Sequence, residues 1–138
     1  HGIGRGFKVG KEEIAGLLVA LQRFVARDDQ ATARAWTARL EAIATAMAGH
    51  PGLQTHLPPS KAGVPLLELR HADALALSRR LQQGTPPVHL GERHAASGVL
   101  TINPQTLRAE DDAVLARRIG EALADLPRSP PCPNPAAT

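Results

Sequence analysis

Apolar residues recur at helical spacing near the start of the chain. Between Lys11 and about Arg27 they fall on one face of a 3.6-residue period, at positions Ile14, Leu17, Leu18, Leu21, Phe24 and Val25. Glutamates open this segment and arginines close it, which suits the positive and negative ends of a helix dipole. The pattern predicts an amphipathic α-helix.

A second helix is predicted to follow almost at once. The pair Asp28-Asp29 interrupts the first stripe and supplies a helix cap, and Gly49-His50-Pro51-Gly52 ends the second helix. Its apolar stripe consists of Trp36, Leu40, Ile43 and Met47. The short connection predicts an antiparallel or bent helix pair. Segments 72–83 and 107–126 also have helical spacing, with Leu126 as the last predicted core residue.

Short runs rich in Val, Leu and Ile, bounded by Pro or Gly, predict strands. The four runs are Leu53–Leu57, Val64–Leu69, Val88–Gly91 and Val99–Asn103. The segment Glu92–Gly98 is predicted to be the hairpin connection between the last two strands. The order helix, helix, strand, strand, helix, strand, strand, helix predicts an α+β fold, with a mostly antiparallel sheet packed on helices over residues 11–126.

The charge pattern does not point to a nucleic-acid-binding protein. The 138 residues suit one domain, and the net charge of +3 arises from 16 Lys and Arg interspersed with 13 Asp and Glu. The densest basic pairs, Arg79-Arg80 and Arg117-Arg118, lie on predicted helices, where a solvated face is the simpler interpretation. No polybasic arm is present in the sequence.

Cysteine content and hydropathy indicate the cellular compartment in which the protein is expected. Cys132 is the single cysteine, so an intramolecular disulfide and a cysteine-based zinc site are excluded. It lies in the proline-rich segment 127–138, which is predicted to be a disordered tail. No signal-peptide pattern and no apolar run of roughly 18 residues occurs. These features predict a cytoplasmic protein without a membrane partner.

Residues 1–10 form a glycine-rich basic leader. Gly4 and Gly6 allow the backbone to approach another molecule closely, while Arg5 and Lys8 supply cationic donors. The two charges can converge on one carboxylate or phosphate, Arg5 as a bidentate fork and Lys8 as a point charge. A nucleotide P-loop is excluded, because Glu12 stands where that motif needs Ser or Thr. The alternative is that these are solvated charges on a linker.

Other catalytic and metal-binding patterns are weak. The six histidines form no HExxH motif and have no cysteine or acidic partner at ligand spacing, so we interpret them as polar surface residues and expect no metal. No serine lies in a Gly-x-Ser-x-Gly elbow or has a paired base near it in sequence, which gives a hydrolase triad no support. No catalytic residue is therefore assigned within the chain.

The leader and first helix nevertheless carry a family pattern. The run Gly-Ile-Gly-Arg-x-x-Lys-Val-Gly-Lys-Glu-Glu-Ile, residues 2–14, resembles the selenocysteine-synthase-like pyridoxal-phosphate enzymes of fold type I. The resemblance is specific over residues 2–18 and only a pattern match up to about residue 126. It implies a small carboxy-terminal domain preceded by a long helix pair. It also implies a homo-oligomer whose cofactor, pyridoxal 5'-phosphate, acts as the electron sink.

In this family the Schiff-base lysine lies upstream of the matched segment. The resemblance therefore implies that the chain, which opens on His1, is the carboxy-terminal part of a longer enzyme. A missing amino-terminal domain would hold most of the cofactor, and this chain alone would be inactive. Arg5 and Lys8 would then bind a small anionic substrate.

The implied reaction is elimination or β-replacement on an amino acid or a phosphorylated amino sugar. The transferase branch has Arg-x-x-Arg where this chain has Arg5-x-x-Lys8, which favours a lyase. An authentic L-seryl-tRNA(Sec) selenium transferase, with tRNA as partner, is the first alternative. A stand-alone anion- or RNA-binding module without enzymatic activity is the alternative from another class.

Overall fold

The protein is an α+β domain with a four-stranded antiparallel sheet, as predicted. The computed structural model describes residues 8–60 and 63–126, so the tail 127–138 and its predicted disorder lie outside the described residues. The helices are α1 (Lys11–Ala26), α2 (Asp29–Ala46), α3 (Ala74–Gln83) and α4 (Asp111–Ala124). The strands are β1 (Gln54–His56), β2 (Leu67–Arg70), β3 (Gly91–His94) and β4 (Val99–Ile102).

The sheet has the order β1-β2-β4-β3, and each neighbouring pair is antiparallel. In the central pair, Leu67 lies opposite Ile102 and Leu69 opposite Leu100. All four side chains are buried, and the residues between them along each strand are only half-buried. Because side chains alternate along a strand, one face of the sheet forms the floor of the core.

Three helices cover that face. On α2 and α3 the buried residues are those that the sequence predicts, whereas on α4 Ala122 is buried and the predicted Leu123 only packs against the core. The contributions are Leu40, Ile43 and Met47 from α2, Ala74, Leu77 and Leu81 from α3, and Leu115, Ile119 and Ala122 from α4. Trp36, the first residue of the predicted α2 stripe, is half-buried, and Leu126 packs against the edge of the core. The core is therefore aliphatic, as the low aromatic content requires.

Two strands lie later in the chain than predicted. β2 begins at Leu67 rather than Val64, since Pro65 has no N–H to donate to a neighbouring strand. β3 begins at Gly91, where the prediction placed its end. The N–H of Val88 instead donates to Leu81 O at 2.9 Å, which ties this segment to the end of α3.

The hairpin connection is consequently shorter than the predicted Glu92–Gly98. It consists of a 3₁₀ turn, Ala95–Ser97, followed by Gly98 in the left-handed region with φ of 82°. The two later helices also start after their predicted first residues. Asp73 caps α3 by accepting from Ala76 N at 3.0 Å, and a 3₁₀ turn at Pro104–Thr106 precedes α4.

Within the described residues, none of the helices is long and apolar enough to cross a membrane.

Candidate functional site

The candidate anion site begins at the amino-terminal end of α1. Lys8 is exposed and lies two residues before Gly10, the N-cap of this helix. Arg5, Gly4 and Gly6, the other predicted members of the site, lie outside the described residues. The convergence of Arg5 and Lys8 on one anion therefore stays a prediction.

The first turn of α1 provides its own carboxylates. Gly10 N donates to Glu13 Oε2 at 2.6 Å, so this backbone N–H is already paired. The carboxylate of Glu12 is also close, with Oε2 3.1 Å from where a Cβ on residue 10 would lie. Negative side chains stabilise the positive end of a helix. The amino-terminal end of α1 is thus already paired with the chain's own carboxylates.

The apolar face of α1 is uncovered. No residue of α1 is buried, and the exposed fraction of its large apolar side chains ranges from 47% at Val19 to 82% at Val25. The predicted stripe of Ile14, Leu17, Leu18, Leu21, Phe24 and Val25 therefore contributes nothing to the core. Exposed apolar surfaces of this extent are uncommon on soluble proteins. The predicted helix pair is consequently not a packed antiparallel hairpin.

One histidine contradicts the prediction that all are surface residues. His71 is only 4% exposed, because it lies between β2 and α3 beneath the 50–53 loop. Its Nδ1 accepts from Asp73 N at 3.1 Å, and its backbone N–H donates to Gly98 O at 3.0 Å. His71 is therefore structural, a role that sequence spacing did not indicate. Groups of three or more metal-ligating side chains do not occur among residues 8–60 and 63–126.

Ser78 has a partner that its neighbours in sequence do not provide. This buried hydroxyl on α3 donates to Glu92 Oε1 on β3, and Gln82 Nε2 donates to the same carboxylate oxygen at 2.7 Å. The arrangement lacks the histidine that would activate a serine nucleophile. It ties the edge strand β3 to α3, and only the tertiary structure brings the two residues together.

The apolar cleft beside β3 and β4 differs from the predicted site in character. It has a volume of about 390 Å³ and lies between the 88–91 and 101–107 segments. Leu66, Val88, Leu90 and Leu107 line it together with polar Thr101 and Asn103, and none of its lining residues is lysine or arginine. His89 is the single basic residue that lines it, so this cleft lacks the pair of cations that the predicted anion site requires.

The described lysines do not form a covalent pyridoxal-phosphate site. Lys8 and Lys11 are both exposed, whereas a lysine that forms a Schiff base is desolvated in a pocket. Lys61 lies outside the described residues. The described part of the chain thus gives no fit for a covalently bound cofactor.

Comparison with known proteins gives two relatives. The chain is 26% identical over 132 residues to a 5'-C-glycyluridine monooxygenase-decarboxylase from a Streptomyces species, which covers 90% of the chain and 33% of the relative. It is 27% identical over 129 residues to a D-glucosaminate-6-phosphate ammonia lyase from Salmonella typhimurium, which covers 88% of the chain and 34% of the relative. No protein-family model matches the chain.

A solved structure leads to the same group. The structure of a D-glucosaminate-6-phosphate ammonia-lyase superposes with a TM-score of 0.68 at 26% identity, over 90% of this chain and 36% of that one. The chain therefore spans about a third of the length of the proteins it matches. Together these similarities point to the pyridoxal-phosphate lyase family that residues 2–18 resemble.

Proposed function

We propose that this chain acts as the carboxy-terminal small domain of a pyridoxal-phosphate-dependent lyase. Its substrate is an amino acid or a phosphorylated amino sugar, and the reaction is elimination or β-replacement beside the amino-bearing carbon. The domain covers an active site whose cofactor is held mainly by a separate amino-terminal domain. The assembly is a homo-oligomer.

The uncovered face of α1 carries this proposal. The large apolar side chains of α1 are about half exposed or more. The hydrophobic core is formed by α2, α3, α4 and the sheet, and α1 contributes no residue to it. A helix with such a face needs a partner surface of similar character. Since the relatives are about three times as long as this chain, a cofactor-binding domain of the same protein is the partner that we propose.

The comparisons favour a lyase over a selenium transferase. A D-glucosaminate-6-phosphate ammonia lyase appears both among the relatives and among the solved structures. Lys8 agrees with this choice, because the transferase branch has arginine at the corresponding place. The name of the other relative, a monooxygenase-decarboxylase, is compatible with cleavage of a different bond. Both names describe substrates that contain an amino acid group.

Arg5 and Lys8 would bind the anionic part of the substrate. A phosphate or carboxylate offers several acceptor oxygens, which suits one planar guanidinium and one mobile ammonium group. Glu12 and Glu13, four and five residues after Lys8, would repel a misplaced anion from the end of α1. The substrate is therefore expected to bind on the side of the leader away from these carboxylates.

The test is to express the whole reading frame that contains this chain and to measure bound cofactor and ammonia release from D-glucosaminate-6-phosphate. Arg5→Ala and Lys8→Ala should raise KM for the phosphorylated substrate at least tenfold, because each removes a charge-assisted bond to the anion. Lys11→Ala is the matched control, since Lys11 is an exposed lysine three residues away with no assigned role. It should leave KM unchanged.

Two outcomes would contradict the proposal. The first is a protein from the whole reading frame that binds no pyridoxal phosphate. The second is an isolated chain that is monodisperse, melts cooperatively and binds RNA with a steep salt dependence, which is the behaviour of a stand-alone module. A selenium transferase would instead bind seryl-tRNA and release no ammonia from the amino sugar.

A further inference from the structure

The joint between α1 and α2 decides where the amino-terminal end of α1 points. α1 ends at Ala26 and α2 begins at Asp29, so only Arg27 and Asp28 connect them, both in extended conformations. Since no residue of α1 is buried, packing against the body does not hold its direction. The direction therefore depends on the joint, and any shift of α1 moves Lys8 at its far end.

Arg27 is the residue that contacts both helices at this joint. Its Nε donates to Asp29 Oδ1 in the first turn of α2 at 2.6 Å. Its guanidinium also lies 5.4 Å from the centre of the Phe24 ring in the last turn of α1. One planar cation thus makes an ion pair on one side of the joint and a cation–π contact on the other.

Beside the joint is a small cavity of about 160 Å³. Arg27, Asp29, Thr32 and Trp36 line it from the helix side, and Gly63, Val64 and Gln105 line it from the body. The end of α1 is therefore not packed tightly against the body, and there is room for the angle between the helices to change. Trp36 is the single tryptophan of the chain, which makes its fluorescence a local reporter of this joint.

We propose that Arg27 is a positioning residue that holds α1 at one angle to the α+β body. Both partners of the ion pair are at least half exposed, so the pair is weak and its loss changes populations rather than unfolding the domain. A weak joint of this kind allows α1 to adjust when its apolar face is covered.

The test measures how widely the distance between α1 and α2 varies. Spin labels at Ala20→Cys on α1 and Ala42→Cys on α2, both exposed positions, are introduced in a Cys132→Ser background, and their distance distribution is measured in the 138-residue chain. The parent should give one narrow distribution. Arg27→Ala should broaden it at least twofold and increase quenching of Trp36 by acrylamide, and Arg27→Lys should give an intermediate width. The thermal midpoint should not change in either variant.

Arg23→Ala is the matched control, because Arg23 lies one turn earlier on α1. It should keep the narrow distribution. Equal widths in the parent and in Arg27→Ala would overturn the proposal, as would broadening in the control. Measurement at several protein concentrations separates self-association through α1, which would make the distances depend on concentration.

Discussion

The guanidinium of Arg118 occupies the space where a side chain at residue 84 would begin. A Cβ added to Gly84 would lie 1.3 Å from Arg118 Nη2. Arg118 is buried and cannot simply move away, because its Nε donates to Pro86 O at 3.3 Å and its Nη1 pairs with Glu121 at 2.5 Å. The end of α3 and the middle of α4 therefore approach each other only with glycine at this position.

Gly84→Ala should lower the free energy of unfolding by about 1–3 kcal/mol, because the methyl group displaces a buried, bonded guanidinium. Urea unfolding followed by circular dichroism measures the loss. Gly16→Ala is the control, since nothing lies within 4 Å of the added Cβ in the middle of α1. That substitution should be neutral or stabilising, as alanine favours a helix. Equal losses in both variants would rule out the steric explanation.

Arg39 fastens α2 to the start of α4. Its Nε and Nη2 donate to the two carboxylate oxygens of Asp112 at 2.9 and 2.6 Å, and Nη2 also donates to Arg108 O at 2.7 Å. The hydrogen bond to Asp112 raises the pKa of Arg39 above its ordinary value. About three quarters of each side chain is shielded from solvent, which makes this pair stronger than a surface ion pair.

Arg39→Lys keeps the positive charge but loses the two-bond contact with Asp112. The substitution should lower the free energy of unfolding by about 1–2 kcal/mol. Chemical denaturation gives the value. Arg117→Lys is the comparison, because the pair of Arg117 with Glu121 is about half exposed and should be worth less than about 0.5 kcal/mol. A cost at Arg117 as large as that at Arg39 would show that burial does not set the strength of these pairs.

Glu121 should make stability depend on acid. Hydrogen bonds from Arg118 first, and then from Arg117, lower the pKa of this carboxyl below its ordinary value of 4.5. A carboxyl with a lowered pKa in the folded state contributes stability that is present above about 4.5 and is lost as the pH falls through the folded value. Thermal midpoints between pH 6 and pH 3 should therefore fall less steeply in Glu121→Gln than in the parent protein. Equal slopes in Glu121→Gln and in the parent protein would contradict this assignment.

His71 should be far more sensitive to substitution than the exposed histidines. His71→Ala removes the acceptor for Asp73 N and opens a cavity under the 50–53 loop, at a cost of about 1–3 kcal/mol. His56→Ala, on the exposed strand β1, should change the unfolding free energy by less than about 0.5 kcal/mol. Denaturant titrations of the two variants measure both losses, and equal losses would contradict a structural role for His71.

The apolar face of α1 should matter for association and not for folding. Leu17→Ser should leave the thermal midpoint of the isolated chain nearly unchanged and should raise its solubility, because Leu17 is exposed. Leu77→Ala should cost about 2–5 kcal/mol, since Leu77 is fully buried. Calorimetry measures the thermal midpoints of both variants, and light scattering measures their association. A large loss of stability in Leu17→Ser would mean that α1 packs within the chain.

The helices and the fold class could be predicted from the sequence because helical periodicity is a local property. The stripe from Leu40 to Met47 identifies the buried face of α2 without knowledge of any other element. The strands were less well placed. Register depends on partners far along the chain, and the bond from Val88 N to Leu81 O, which delays β3, has no local signal. The pairing of Ser78 with Glu92 has the same origin.

By itself, the sequence determined that α1 is an amphipathic helix, that a basic glycine-rich leader precedes it, and that an aliphatic α+β core follows. Those features depend on neighbouring residues and on the 3.6- and 2-residue periods. Only the tertiary structure decided that the stripe of α1 is left uncovered, that His71 is buried and that Arg118 lies against Gly84. Each of these depends on which distant elements share a face, because burial is a property of the assembled fold rather than of any one segment.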